Sequence, residues 1–363
     1  MDIYKPTYTD VTDWNKIVYQ NTTGSRSKKI ITNPENEDEY FFKGSKELPD
    51  GEIRYPTEFW SEIVSSKIGQ YLKFNILDYN IGYNKDGTQK IGCLSKSMVS
   101  NSENKLTEGK VYLTGYKSSY NPEKDKKQYT FQFIRKTLSF FNSEKYIKNL
   151  LEIIVFDALI GNSDRHQENW GIITNFNQTI KDYDKKINKS TDKWYKNWFL
   201  KFIKNLIIIQ SEKFKKNIFT ISKKNDLIIE SDLIKNNFSP IYDSGCCLGR
   251  EFDIEGVIKR INDKQMQEKY IRNGVSEIHW EGHVKKLNHF ELIKLLQLEY
   301  PEEIKLLINK VADNFKSEEI EVIVNNIDKN LPKELKIHNL PIERKVLMVK
   351  LINLRFNKLI ELI

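Results

Sequence analysis

Between Tyr146 and Leu159, apolar residues recur three and four positions apart: Tyr146, Ile147, Leu150, Leu151, Ile154, Val155, Ala158 and Leu159. That is the period of a helix face. From Leu150 to Ile160 the run is apolar almost all round, which predicts a helix buried on every side. Gly161-Asn162 follows as a stop. Asp157 lies on this helix, and a buried carboxylate needs a partner. Arg165 is the natural one, so the pair reads as a brace for the loop between them. A second helix opens at Pro56-Thr57, with Thr57 as its N-cap. Trp60, Ile63, Val64, Ile68, Tyr71 and Leu72 form its apolar face, while Glu62, Ser65, Ser66 and Gly69 form a small, polar one.

Period-2 segments flank that second helix. Glu39-Tyr-Phe-Phe-Lys43 reads as an aromatic strand ending in a lysine. Tyr79–Gly82 and Lys90–Leu94 read as strands joined by the Asp86-Gly87 turn. Residues 100–128 are polar and read as an irregular connection. Residues 176–236 are rich in lysine and asparagine, yet carry Trp194, Tyr195, Trp198, Phe199, Phe202 and Leu206. They read as an insertion with an amphipathic helix. Trp194, Trp198, Phe202 and Leu206 drift slowly along one face, which either packs on the protein body or docks a substrate or membrane. From Phe290 to Ile363 the pattern is helical, with breaks at Pro301, Pro332 and Pro341.

Composition adds limits. A chain of 363 residues has ample material for a core and for a large two-part domain. The net charge of +8 permits an anionic partner, but no arginine-rich helix or zinc-finger spacing supports nucleic acid. A lysine-rich solvated surface is the plainer reading. Three cysteines, Cys93, Cys246 and Cys247, are no disulfide framework. The first residues lack a signal-peptide pattern, and no apolar run reaches the ~20 residues of a membrane span. The expectation is a cytoplasmic protein; a specialised export route would leave no such mark.

The candidate chemistry lies in Gly161-Asn-Ser-Asp164-Arg-His-Gln-Glu-Asn169 and Asp243-Ser-Gly245. Asp164 and Asn169 have the Asp-to-Asn spacing of a kinase catalytic loop. Phosphoryl transfer asks for a carboxylate beside the acceptor hydroxyl, and for a few oxygen ligands to a divalent cation. Asp243, on a small-residue turn, is suited to aim a carboxylate into a cleft. Lys43, at a strand end, and Glu62, on the following helix, suit the lysine–glutamate pair that fixes a charge against phosphates. Asn21-Thr-Thr-Gly24-Ser25-Arg26-Ser27-Lys28 precedes them as a candidate phosphate-covering loop. His279, His283 and His289 lack a shared helix face and are read as non-ligands. Cys246 and Cys247 are read as buried small residues.

The stretch Phe156-Asp-Ala-Leu-Ile-Gly-Asn-Ser-Asp164-Arg-His-Gln-Glu-Asn169-Trp-Gly, with Ser239-Pro-Ile-Tyr-Asp243-Ser-Gly, resembles the catalytic core of HipA-like serine/threonine kinases, and of their short stand-alone members most. The resemblance spans roughly residues 20–300. It implies an α+β, two-lobed kinase-like fold: a small mixed N-lobe over 1–99 and a mainly helical C-lobe over 100–363, with the 176–236 insertion. It implies ATP with Mg²⁺ (or Mn²⁺) and a protein acceptor with serine or threonine. Asp164 would be the catalytic base, and Asn169 and Asp243 the metal ligands. Lys43 would contact phosphate. Beside the resemblance, the residues themselves suggest that Glu62 holds Lys43, that Gly24, Ser25 and Ser27 belong to the loop covering the phosphates, and that the two serines are candidate autophosphorylation acceptors. The adenine hinge would fall near Leu94–Met98. A lipid or small-molecule acceptor uses the same loop, and a non-catalytic kinase-fold module is the remaining alternative.

Overall fold

A computed structural model describes residues 4–17, 28–48, 50–87, 89–99, 104–189, 194–215 and 234–363. The first part of the chain builds a six-stranded sheet from β1 (Tyr8–Asp10), β2 (Asn15–Ile17), β3 (Lys28–Thr32), β4 (Glu39–Lys43), β7 (Asn80–Tyr83) and β8 (Ile91–Lys96). Their order is β1-β7-β8-β4-β3-β2. β1 and β7 pair in parallel, and every other neighbour is antiparallel. A short ribbon of β5 (Lys46–Glu47) and β6 (Ile53–Arg54) stands apart. Alternation along β4 turns Phe42 into a small core with Val11, Ile31 and Leu94 on one sheet face.

Helix α1 (Glu58–Tyr71) covers the other face, joining Ile63, Val64 and Ile68 to Ile81, Ile91 and Cys93. The small, polar side of α1 is buried as well. Ser66 Oγ donates to Leu77 O at 2.7 Å, and Ser65 Oγ lies 3.1 Å from Cys247 Sγ. A methyl group at Gly69 would fall 2.9 Å from Ile76. The small residues therefore admit both the Ile76–Leu77 segment and the segment after Asp243 against the helix. Thr57 stands at the N-cap, but its hydroxyl caps no N–H.

The 100–128 expectation is corrected. Asn104–Glu108 is strand β9 and Gly109–Tyr116 is helix α2. Backbone pairing with β10 (Gly171–Asn175) holds β9 despite its polar side chains. Gly109 is required where it stands, because a Cβ there would lie 2.2 Å from the ring of Trp170. β11 (Asn236–Phe238) completes an antiparallel β11-β10-β9 sheet.

Helix α3 spans Phe131–Phe140 and α4 spans Ile147–Ile160. α4 is buried from Leu150 onwards apart from Glu152, as its all-round apolar pattern predicts. The chain continues through α5 (Phe176–Lys189), α6 (Trp194–Lys215), α7 (Ile254–Asn262), α8 (Lys264–Asn273), α9 (His289–Glu299), α10 (Pro301–Asn314), α11 (Ser317–Asn325) and α12 (Ile342–Ile360). α9, α10 and α12 enclose α4. Pro301 opens α10, and Pro341 is the N-cap of α12. No described helix is long and apolar enough to cross a membrane.

α5 and α6 lie between β10 and β11 and pack on each other around their own cluster of Phe176, Tyr183, Ile203, Ile207 and Ile234. That cluster is separate from the main core. Here the expected face of α6 is only partly the buried one. Leu206 reaches the cluster, whereas Trp198 and Phe202 are exposed and stack on each other with ring centroids 5.7 Å apart.

Candidate active site

Three segments meet where the six-stranded sheet faces the helices. Glycine ends α4: Gly161 takes φ +73° and its N–H donates to Asp157 O at 2.8 Å. This left-handed stop turns the chain out of the helix into the 162–169 loop. The loop is then clasped to the segment after Asp243, with Ser163 N donating to Cys246 O and Leu248 N to Ile160 O, both at 3.3 Å.

Arg165 ties the segments together. Its Nε and Nη2 donate to the two oxygens of Asp157 at 2.9 and 2.8 Å. Nη2 also donates to Ser244 Oγ, and Nη1 donates to Asn169 O, each at 3.0 Å. Nη1 donates to Tyr242 O as well. The guanidinium and its carboxylate are both buried. Burial opposes the charge, but Asp157 outweighs it and holds Arg165 above its ordinary pKa. The expected brace is therefore present, and it reaches the residues on both sides of Asp243, Tyr242 through its carbonyl and Ser244 through its hydroxyl.

Asp164 is half-buried within this frame. Asn169 Nδ2 donates to Asp164 O at 2.8 Å, which closes the loop and turns the amide oxygen the other way. Cys246 Sγ lies 3.3 Å from Asp164 Oδ2 and donates to it. Cys246 and Cys247 are buried as the sequence suggests, yet Cys246 also touches the 162–169 loop. Burial pushes the Cys247 thiol well up, so it stays neutral.

Asp243 adopts φ +55°, a left-handed conformation uncommon outside glycine. Its N–H points to Tyr79 Oη at 3.4 Å. Its Oδ1 lies 2.5 Å from Lys43 Nζ, and the same Nζ donates to Glu62 Oε2 at 3.2 Å. Glu62 Oε1 in turn accepts from Ser244 N at 2.6 Å. Lys43 and Glu62 are almost wholly buried. Residues 200 positions apart thus meet on one ammonium. Burial, reinforced by the Glu62 charge, pushes the Tyr79 phenol far up, which keeps it neutral beside Asp243.

Of the sequence-predicted site residues, Lys43, Glu62 and Asp243 are in contact, and Asp164 and Asn169 are joined through the loop that Arg165 braces. Gly24, Ser25 and Ser27 lie outside the described residues. Leu94–Lys96 of the expected hinge belong to β8, and Ser97 N continues the pairing to Glu39 O at 2.8 Å. Sequence reasoning missed Tyr79, Tyr242 and Ser244. No local signal marks them, since two act through backbone atoms or a hydroxyl that any loop could carry. It also missed Lys110, whose Nζ holds Glu168 of the 162–169 loop at 2.6 Å.

No family model matches the chain, and no curated protein matches it. Among solved structures, it is similar to the Helicobacter pylori proinflammatory kinase CtkA. The TM-score is 0.65 at 16% identity, covering 98% of this chain and 96% of that chain. The fold is kinase-like. An identity of 16% carries the fold alone, so the chemistry rests on the residues just described.

A divalent cation fits the donors available. Asp243 offers carboxylate oxygen and Asn169 its amide oxygen, a hard, oxygen-only pair of the kind Mg²⁺ takes with phosphates and water completing its shell. No group of three or more His, Cys, Asp or Glu residues suited to a metal occurs among the described residues.

Proposed function

We propose that the chain is an ATP-dependent kinase, acting on serine or threonine hydroxyls of a protein. One observation carries the reading: Lys43 of β4, Glu62 of α1 and Asp243 of the turn after β11 converge on one ammonium, beside a braced loop bearing Asp164 and Asn169. Two buried ionisable groups and a third half-buried one are costly to assemble for stability alone. Their spacing suits the handling of phosphate charge.

In this reading Glu62 holds Lys43 in place, and Lys43 presents its charge to the ATP phosphates. Asp243 and Asn169 would hold Mg²⁺, which supplies charge neutralisation between the phosphates. The thiol of Cys246 occupies Asp164 Oδ2, leaving Oδ1 to accept the hydroxyl proton. As the acceptor oxygen bonds to the γ-phosphorus, the bond from that phosphorus to the β,γ-bridging oxygen breaks. ADP departs, and the proton resides on Asp164. A loose transition state places that transfer late, so an ordinary carboxylate is basic enough.

The test compares wild type, Asp164→Asn and Asp243→Ala in a radiolabelled ATP assay with protein and lipid acceptor pools, beside a nucleotide-binding titration. Asp164→Asn is expected to bind ATP normally and lose at least ~100-fold in turnover. Asp243→Ala is expected to lose metal-dependent nucleotide binding. Full turnover in either variant would overturn the assignment of that residue, and label in lipid alone would overturn the acceptor class.

A further inference from the structure

α6 carries two apolar faces, and the α5–α6 cluster buries mainly one of them. Ile203 and Ile207 are buried against α5. A second stripe, Tyr195, Trp198, Phe199, Phe202, Leu206 and Ile209, recurs three and four positions apart and spans roughly 100° of the helix, with half-buried Leu206 also touching the cluster. Trp198 is 62% exposed, Phe199 54% and Ile209 52%. Aromatic side chains of this size rarely gather on open surface without a partner.

The charge around the stripe selects the partner. Residues 176–236 contain fourteen lysines against seven acidic residues, a balance of +7 in a chain whose total is +8. Almost the whole positive excess therefore sits in the segment that bears the stripe. Within α6 itself, five lysines stand against Glu212 alone. Lys196 and Lys201 are exposed beside the aromatic side chains, and Lys204 pairs with Asp184 at 2.6 Å.

We propose that α6 is an interfacial helix that seats this stripe in an anionic phospholipid surface. Aromatic and aliphatic side chains enter the headgroup boundary, while flanking lysines meet the lipid charges; this is the pattern of helices that lie in a membrane plane. Nucleic acid shares the charge preference but stacks on aromatic side chains, and Ile209 and Leu206 give it nothing to stack on. The helix has too many lysines to cross the bilayer, so it lies on the surface.

The experiment is sedimentation of the full chain with vesicles of phosphatidylcholine alone, or with about 30% phosphatidylserine, at about 50 and 300 mM salt. Trp198→Ser/Phe202→Ser and Lys196→Gln/Lys201→Gln are measured beside wild type. Thermal midpoints check folding, which exposed positions are expected to leave unchanged. Wild type is expected to bind phosphatidylserine vesicles at least ~10-fold better than phosphatidylcholine, and less well at high salt. Each double variant is expected to lose at least ~10-fold. Wild type that ignores both vesicles, equal binding to both, or variants that bind as wild type would overturn the proposal. So would a wild-type dimer in solution that Trp198→Ser/Phe202→Ser converts to monomer, because a second copy would then be the occupant. None of these readouts depends on kinase activity.

Discussion

Removing the charge of Asp157 tests whether the 162–169 loop hangs on one buried ion pair. The Asp157 carboxylate accepts three hydrogen bonds: from Arg165 Nε at 2.9 Å, Arg165 Nη2 at 2.8 Å and Asn162 Nδ2 at 3.0 Å. Asp157→Asn preserves the shape but offers one acceptor oxygen, and it sets an N–H₂ group against an N–H donor. Arg165, 1% exposed, is left charged without a counter-charge on α4. Breaking a buried pair from one side costs about 3–5 kcal/mol, against a total stability of about 5–15 kcal/mol for a folded domain. The unfolding constant is then expected to rise about 150- to 5,000-fold. Urea unfolding near neutral pH, followed by tryptophan fluorescence and circular dichroism, measures this through the midpoint at unchanged slope. The companion variant Asp157→Leu/Arg165→Met removes both charges, so most of the stability is expected to return. It nevertheless unhooks Asn169 O, Tyr242 O and Ser244 Oγ, and amide exchange over 164–169 and 242–245 is expected to quicken. A single-variant loss below about 1 kcal/mol, or a double variant no more stable than the single one, would refute the reasoning.

Gly161→Ala is expected to destabilise by about 2 kcal/mol or more, because Gly161 has φ +73° and a Cβ there would lie 2.6 Å from the Arg355 guanidinium; an unchanged urea midpoint would contradict this. Burial, reinforced by the Arg355 charge, holds the pKa of His289 well below its ordinary value. The unfolded chain therefore takes up a proton there that the folded chain refuses, and stability is expected to fall as pH drops below about 6.5, by up to about 1.4 kcal/mol per pH unit. Thermal midpoints between about pH 7.5 and 5.5 measure that slope, and His289→Leu is expected to flatten it.

The parts of the molecule that the sequence made readable are those where one local pattern suffices. α4 has a strong helical period, and Gly161 supplies its left-handed end. The Asp157–Arg165 brace follows from asking what a carboxylate does on an apolar helix. Lys43 and Glu62 were candidates by order along the chain, but their contact with Asp243 depends on the sheet and α1 folding around the later turn. β9 stayed hidden because backbone bonds to β10 hold it and its side chains are polar. The polar side of α1 gave no sign of what it packs against, and its small residues turn out to admit neighbouring segments. In α6 the period marked an apolar helix correctly. Periodicity cannot say which of two apolar faces is buried, and the packing of α5 decided it.

That packing leads to a prediction about the whole segment between β10 and β11. The two strands pair Ile172 with Phe238 and Thr174 with Asn236, and Asn175 N donates to Lys235 O at 2.9 Å. Asn175 and Lys235 thus stand opposite each other at the end of an antiparallel pair, the position a two-residue Asn-Gly turn closes. The hairpin root is fastened at the other end, where Ser239 N donates to Gly171 O at 2.9 Å next to the 162–169 loop. Replacing 176–234 by Asn-Gly removes the α5–α6 cluster, all but Lys235 of that segment's lysines, and nothing of the main core. The shortened chain is expected to unfold at a urea midpoint close to that of the full chain and to bind nucleotide as the full chain does. It is also expected to lose its attraction to anionic vesicles. The hydrogen bond from Tyr146 Oη to Asn236 O, at 2.6 Å, remains available to hold the trimmed strand. An insoluble product, or a stability loss above about 2 kcal/mol, would show that α5 and α6 support the core, against their separate packing.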